Sequence, residues 1–343
     1  MENLELAIAQ LKRELPGMSL LENEPLAAHC SFRIGGPARA IAVPADISAL
    51  THVCCILKEH RLAPLLLGNG TNILFPDEGL DEVLLISTEK LTKLFLLPDG
   101  AIYAEAGVSL SRLASFAQQN GLAGLEFASG IPGSLGGGCR MNAGAYGGEL
   151  KDVIESVVCY YLPEQALYEL RTEDCAFAYR SSRFSRIGGF VVLSAVLRLS
   201  QGDPEEIAAR MRELNERRRD KQPLDLPSAG SAFKRPEGYF AAKLIEDCGL
   251  KGFRVGGAQV SEKHAGFVVN VGGASSHEVY ALMDQVRRTV HEKTGVTLEP
   301  EVILLPPDYR PEDKGPAVPR HRVTINDWSE GPDAARPQET KEN

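Results

Sequence analysis

The chain has 343 residues, with 37 Lys and Arg against 46 Asp and Glu, a formal net charge of −9. That balance lacks the basic footprint of a general nucleic-acid binder, and no uncharged apolar run approaches the ~18 residues a membrane-spanning helix needs. At ~150 residues per domain the length suits two or three domains. The seven cysteines, at positions 30, 54, 55, 139, 159, 175 and 248, are odd in number and form no C-x-x-C pair. A disulfide framework and a structural zinc site are therefore not expected. No His, Cys or carboxylate cluster has ligand spacing, so no metal is expected. Scattered thiols suit a reducing compartment. The N-terminus carries early acids and no apolar h-region, which reads as a helix rather than a signal peptide. The expected location is the cytoplasm.

In chain order, residues 4–14 fit a short amphipathic helix ended by Pro16-Gly17. Strand-like segments follow at 38–43, 64–67, 83–86 and 101–106, interrupted by a helix over 46–60 with Asp46 as its N-cap. Ser109 can cap a helix to about Asn120, with Leu110, Leu113 and Phe116 on one face. After a glycine-dense stretch at 130–148 come strands at 153–161, 166–171 and 189–199. Asp203-Pro204-Glu205-Glu206 reads as a cap, a proline at the first helical position and acids at the positive dipole end. That helix is expected to end near Asp220, its Arg217-Arg218-Arg219 run being a solvated C-terminus. A loop over 221–237 precedes a helix near 239–247, strands at 254–260 and 266–271, and a helix opened by the capping box Ser275-x-x-Glu278. A strand over 296–305 closes the block. The expected fold class is α+β, with units at 1–90, 91–202 and 203–305. Residues 306–343 hold seven of the 21 prolines and read as a disordered tail, in which Trp328 could mark a docking segment.

Two glycine segments invite a ligand. An apolar strand runs straight into Gly68-Asn69-Gly70-Thr71-Asn72, where successive backbone N–H groups can form an anion nest. Ile73 replaces the last glycine of a G-x-G-x-x-G fingerprint, so that motif is absent. The second runs Gly130-Ile131-Pro132-Gly133-Ser134-Leu135-Gly136-Gly137-Gly138 and on through Asn142-Ala143-Gly144-Ala145-Tyr146-Gly147. Its interspersed apolar residues suit backbone packed against a flat or anionic ligand. Neither segment carries Gly-Lys-Ser/Thr, which excludes a P-loop. Two glycine loops without basic residues suit a dinucleotide such as FAD.

These segments, with Ser31-Phe32-Arg33-Ile34-Gly35-Gly36, Tyr179-Arg180-Ser181-Ser182-Arg183-Phe184, Pro227-Ser228-Ala229-Gly230-Ser231-Ala232-Phe233-Lys234 and Glu299-Pro300-Glu301-Val302, resemble the UDP-N-acetylenolpyruvoylglucosamine reductase (MurB) family over residues 19–305. No long insertion separates Arg183 from the strand at 189–199, so the chain is similar to the second subtype, which lacks a tyrosine loop. The resemblance implies a two-part FAD-binding module of the vanillyl-alcohol-oxidase (PCMH) type, followed by a C-terminal α/β substrate-binding domain.

The resemblance also implies the reaction: reduction of an enolpyruvyl ether on a UDP-sugar to a lactyl ether, with NADPH as reductant and FAD as carrier. Arg180 and Glu301 would stabilise charge developing on the substrate carboxylate, and Ser231 would give the proton to C2. The expected cofactor residues are Gly68, Asn69, Gly70, Thr71, Asn72, Gly130, Gly133, Ser134, Gly136, Asn142, Ala143 and Gly144. Lys221, Lys234, Gln259 and Lys263 are expected at the substrate, the lysines as charges for its diphosphate. His264 is expected to be a satisfied polar residue. The protein is expected to be a monomer or weak oligomer, with no nucleic-acid or membrane partner. An FAD-dependent oxidase of another substrate and a non-catalytic nucleotide-binding protein remain alternatives.

Overall fold

The computed structural model describes residues 2–306 and the short strand Arg322–Val323. Four of its helices begin at side-chain caps. Asp46 Oδ1 accepts the Ala49 N–H at 2.8 Å and opens the helix Ile47–Glu59. Ser109 caps Leu110–Gln119, and Asp203 accepts from both Glu205 and Glu206 at the start of Pro204–Lys221. The Ser275/Glu278 capping box opens Ser276–Thr294, which Gly295 closes in the left-handed region. Each such side chain satisfies an amide that the first turn leaves without a partner.

Three main sheets carry the fold. The first has the order Ser19–Pro25, Pro37–Val43, Leu80–Ser87, Leu65–Leu67, with one antiparallel pair and then two parallel ones. The second is antiparallel throughout, in the order Arg322–Val323, Ala166–Arg171, Ile154–Tyr161, Phe190–Leu197, Ile102–Glu105, Leu94–Leu96. The third, also antiparallel, runs Ser228–Ser231, Phe267–Asn270, Ala258–Val260, Arg254–Val255. So two residues of the segment expected to be disordered, Arg322–Val323, pair along Leu167–Tyr168. Trp328 lies outside the described residues.

The structure corrects two expectations about the third unit. The segment 296–305 is strand only at Ile303–Leu304, which pairs in parallel with Ile73–Leu74 of the first unit, while Pro300 just before it makes an isolated antiparallel bridge to Phe233, beyond the end of Ser228–Ser231. The loop over 221–237 contains the strand Ser228–Ser231. The hydrophobic cores explain the first point. One cluster joins Phe32, Leu74 and Phe75 to Ile245, Val268, Leu282 and Leu298, so the first and third units share a core. A second fills the middle unit. A third joins the helices Glu2–Glu14 and Ile47–Glu59 to Tyr103, Tyr160 and Leu193 of the second sheet. Burial of this kind is the main driving force of association between elements, and here it ties all three units into one body around a central cleft. Among the described residues no helix is long and apolar enough to cross a membrane.

Candidate active site

The strand Leu65–Leu67 delivers the first glycine loop to the cleft. Gly70 takes φ +58°, and a Cβ there would sit 2.0 Å from the His29 carbonyl oxygen, so only glycine fits. Asn69 Nδ2 donates to the Pro132 carbonyl at 3.0 Å, joining the first glycine loop to the second. Asn72 Nδ2 donates to the Glu301 carbonyl at 3.1 Å, and the Asn72 carbonyl accepts the Ile303 N–H at 3.0 Å. The loop therefore positions the Glu301 backbone directly.

The second glycine segment is not a loop throughout. Leu135–Met141 is a helix despite three successive glycines, each costing ~1 kcal/mol against alanine in a helix interior. Packing offsets that cost. A Cβ on Gly138 would lie 2.7 Å from Leu150 Cδ1, and one on Gly136 would lie 3.0 Å from Ala106 Cβ. The Leu135 and Gly136 N–H groups donate to the Val108 and Ala106 carbonyls, both at 2.8 Å. Gly136 thus serves close approach between elements. Gly137 and Ser134 line the cleft, and Ser134 Oγ is buried with no hydrogen-bond partner among the described residues.

Arg180 sits at the tip of a tight turn in which Ala178 and Ser181 exchange both backbone hydrogen bonds. Its φ is +51°, a conformation that costs a non-glycine residue ~1–2 kcal/mol and that marks functional positions. Its Nε donates to Glu301 Oε1 at 2.6 Å and its Nη1 to the Gly144 carbonyl at 3.1 Å. The Glu301 side chain is only 12% exposed. Burial pushes its carboxyl pKa up, and the Arg180 guanidinium opposes that without cancelling it. The Glu301 N–H donates to the Ala232 carbonyl at 2.9 Å, which sets Glu301 beside the strand that ends in Ser231. Gly230 takes φ +75° with open space where a Cβ would be. Ser231 itself is half-buried in the cleft wall.

These groups line one cleft of about 1050 Å³. It receives Gly68, Asn69, Gly70, Thr71, Asn72, Gly133, Ser134, Ala143, Gly144, Arg180, Ser231 and Glu301. Gly130, Gly136 and Asn142 lie outside it. A Cβ on Gly130 would strike Asn215 Oδ1 at 2.4 Å, and Asn142 is buried among protein partners. The four residues expected at the substrate are also elsewhere. Lys234 pairs with Glu299 at 3.3 Å, Lys263 Nζ donates to the Arg219 carbonyl, and Gln259 donates to the Gly252 carbonyl. Lys221 is exposed at the end of its helix. The structure corrects the reading of Arg218 as a solvated helix end. Arg218 lines the cleft, and burial lowers its pKa. His264 is satisfied, its Nδ1 accepting the Gly266 N–H at 3.1 Å.

Sequence reasoning missed a second hollow of about 570 Å³ that shares Arg180 and Gly144 with the cleft and is walled by Tyr146, Glu149, Tyr179 and Arg235. Tyr146 and Gly147, at φ +53° and +91°, form the tip of the hairpin that pairs Gly144–Ala145 with Gly148–Glu149. Arg217 lies 5.3 Å over the Tyr146 ring and Arg235 lies 3.9 Å over Phe240. The sequence held a signal for it, since Tyr146 and Tyr179 adjoin Gly147 and Arg180.

Comparison with known proteins agrees with this arrangement. A family model described as FAD binding domain matches residues 38–162, spanning both sides of the first glycine loop and most of the middle unit. The first two units are thus two parts of one FAD-binding module. The C-terminal domain model of UDP-N-acetylenolpyruvoylglucosamine reductase matches residues 222–305, the stretch that carries Ser231 and Glu301. The reductase of that name from Caldanaerobacter subterraneus is 46% identical over 303 residues, covering 88% of this chain and 98% of that protein. The one from Lachnoclostridium phytofermentans is 48% identical over 286 residues, covering 82% and 92%. The crystal structure of the Thermus caldophilus enzyme superposes with a TM-score of 0.71 at 32% identity, covering 84% of this chain and 99% of that one. With relatives matched over almost their whole length, and the C-terminal model laid over the serine and glutamate of the cleft, the chain belongs to the UDP-N-acetylenolpyruvoylglucosamine reductase family.

Proposed function

We propose that the chain catalyses the NADPH-dependent reduction of UDP-N-acetylglucosamine enolpyruvate to UDP-N-acetylmuramate through bound FAD, in peptidoglycan precursor synthesis. The observation that carries this reading is the meeting of Arg180, Glu301 and Ser231 in the cleft that the two glycine segments also line. The expected setting is the cytoplasm, with the protein a monomer or weak oligomer. The three main sheets support a division into units at 1–90, 91–202 and 203–305.

The cleft fits FAD. The unpartnered Ser134 Oγ lies 2.3 Å from where a Cβ on Gly68 would stand, so the glycine keeps open the space beside a hydroxyl in want of a partner. Its volume of about 1050 Å³ reaches the top of the ~300–1,000 Å³ range of ligand pockets, as room for a dinucleotide and a second ligand requires. Gly68 to Asn72, Gly133, Ser134, Ala143 and Gly144 would hold the cofactor. When bound, FAD carries reducing equivalents from NADPH to the enolpyruvyl double bond.

The chain's own residues then do three things. Arg180 holds the substrate carboxylate with a guanidinium fork suited to it. Glu301, whose carboxyl pKa burial raises against the opposing Arg180, would in its neutral form donate a hydrogen bond as negative charge builds there. Ser231 presents a hydroxyl proton to C2, and the neighbouring Gly230 leaves its approach open. The arginines lining the cleft, Arg33, Arg140, Arg186 and Arg218, are placed to meet a diphosphate, with Arg140 and Arg186 also donating to the Phe184 and Ala176 carbonyls, whereas Lys234 and Lys263 lie outside the cleft.

An anaerobic absorbance titration tests the proposal. The protein is expected to carry a flavin spectrum that NADPH bleaches and the enolpyruvyl UDP-sugar restores. Restoration by oxygen alone would refute the assigned substrate, and a protein unable to bind FAD would refute the reading altogether.

A further inference from the structure

Asn142 was expected to touch the cofactor, yet it is 1% exposed and lies off the cleft. It closes the glycine helix in the left-handed region, at φ +44°. Its side-chain amide is fully engaged. Nδ2 donates to Glu149 Oε2 at 2.7 Å and to the Ala178 carbonyl at 3.2 Å, while Oδ1 accepts the Lys151 N–H at 3.0 Å. Those partners belong to two different segments that approach Arg180. Ala178 is the first residue of the turn with Arg180 at its tip, and its carbonyl also accepts the Ser181 N–H that closes that turn. Glu149 pairs with Gly144 in the hairpin, and the Gly144 carbonyl receives Arg180 Nη1. Glu149 stays ionised, its pKa lowered by the Lys151 ammonium, by Asn142 and by the charge of Arg180.

We propose that Asn142 is a positioning residue for Arg180, its amide pinning the Ala178–Ser181 turn to the Gly144–Glu149 hairpin so that the guanidinium faces Glu301. A buried amide with its donors and acceptor all satisfied fixes one arrangement of the segments it joins. The arginine conformation it supports is one that Arg180 does not favour by itself. Without the amide, the Ala178 carbonyl and Glu149 lose their common donor and the turn can relax. This proposal rests on the reading that Arg180 acts on the substrate carboxylate.

The test uses the FAD-loaded enzyme with NADPH and the enolpyruvyl UDP-sugar in separate anaerobic stopped-flow half-reactions. Asn142→Gly keeps the left-handed backbone without strain and removes all three hydrogen bonds. The expected result is that substrate-driven flavin reoxidation slows ~10–100-fold, the scale of a misplaced catalytic group. NADPH-driven reduction and the FAD dissociation constant are expected to stay within about twofold. Asn142→Asp, which tolerates the same backbone and retains the acceptor, is expected to show the same one-sided loss if the glycine variant does not fold. FAD binding weakened more than tenfold, or both half-reactions slowed alike, would overturn the proposal, as would no change in either. Arg180→Gln is measured alongside. If it too leaves reoxidation unchanged, the role given to Arg180 has failed; if it slows reoxidation and the Asn142 variants do not, the positioning role has failed.

Discussion

Replacing Arg180 with glutamine exchanges a guanidinium for a shorter, neutral amide. Wild-type Arg180 reaches Glu301 Oε1 at 2.6 Å and the Gly144 carbonyl at 3.1 Å, so the variant loses an ion pair and the anchor of its own side chain. Loss of one preorganised donor at a developing anion costs 10²–10³ in rate, ~3–4 kcal/mol. The substrate-driven half-reaction is expected to fall by ~100-fold or more on that basis. Reduction by NADPH, which builds no charge on a substrate carboxylate, is expected to be nearly unchanged. The pH dependence shifts as well. In the wild type, burial raises the Glu301 pKa and Arg180 opposes it. Removing Arg180 leaves burial in command, so the pKa climbs further. If the neutral carboxyl is the working form, the wild-type reoxidation rate declines as pH rises through the Glu301 pKa, and in the variant that decline moves to higher pH. Conformational stability carries the same sign. A raised native pKa contributes stability that is present below the ordinary carboxylate value and lost as pH rises through the raised one. Anaerobic stopped-flow across pH, following flavin absorbance, measures the rate and its pH profile together. Equal slowing of the two half-reactions, or a decline displaced to lower pH, would refute the assignment.

Three further outcomes are expected. Ser231→Ala should leave flavin reduction by NADPH intact and slow reoxidation by substrate; stopped-flow traces showing equal slowing would remove Ser231 from the proton-donating role. Gly70→Ala should cost at least ~3 kcal/mol, because its Cβ would meet the His29 carbonyl oxygen at 2.0 Å and its φ is +58°, combining overpacking with left-handed strain; a denaturant midpoint unchanged from wild type would contradict the turn geometry. Asp77 accepts from the Ser276 N–H and hydroxyl, both at 2.8 Å, and faces His277 Nδ1 at 3.1 Å, latching the first unit to the last long helix. Asp77→Ala should therefore lower stability by ~1–3 kcal/mol. Burial raises the Asp77 pKa but these hydrogen bonds outweigh it, so the latch's contribution should be present above the ordinary aspartate value and disappear as pH falls through the lowered one. A pH-independent difference between the two proteins in urea melts would count against it.

What could be seen in the sequence divides along the range of the interactions responsible. The caps at Asp46, Ser109, Asp203 and Ser275 bond amides two or three residues away, so the sequence alone places those helix starts. The helix Leu135–Met141 was hidden because its stability comes from Ala106 and Leu150, which meet its glycines only in the folded chain. Ser228–Ser231 has no apolar alternation to read, and its partner is 36 residues on, at Phe267. The strand Ile303–Leu304 finds Ile73–Leu74 across 230 residues. The same distinction governs the site. Lys234 and Lys263 have the right charge for a diphosphate, yet each already has a protein partner that spacing could not reveal. Arg218 looked like one of three solvated arginines, but it packs on Gly130 beside the cleft.

The placement of the strained residues connects fold to chemistry. Asn142, Tyr146 and Arg180 all take positive φ without being glycine, and the segments that carry them touch one another. Asn142 bonds the Arg180 turn, and Arg180 bonds the hairpin that Tyr146 tips. Tyr146 and Arg180 at ~1–2 kcal/mol each, with a smaller cost at Asn142, a residue type that visits this region readily, are an appreciable fraction of the ~5–15 kcal/mol by which a domain is stable. Such strain persists only where surrounding contacts over-determine it. Those contacts are present: Glu149 and Ala178 on Asn142, Gly144 and Glu301 on Arg180, and Arg217 over Tyr146. Glu301 is in turn held by Asn72 of the first glycine loop and by the Ala232 carbonyl next to Ser231. The loop that would hold the cofactor and the residues that would act on the substrate thus share one hydrogen-bonded frame. Glycine at 142 accepts the left-handed backbone but removes the three hydrogen bonds of the Asn142 amide, so the variant should lose some stability and, because the frame serves the chemistry, should lose rate in the substrate-driven half-reaction alone.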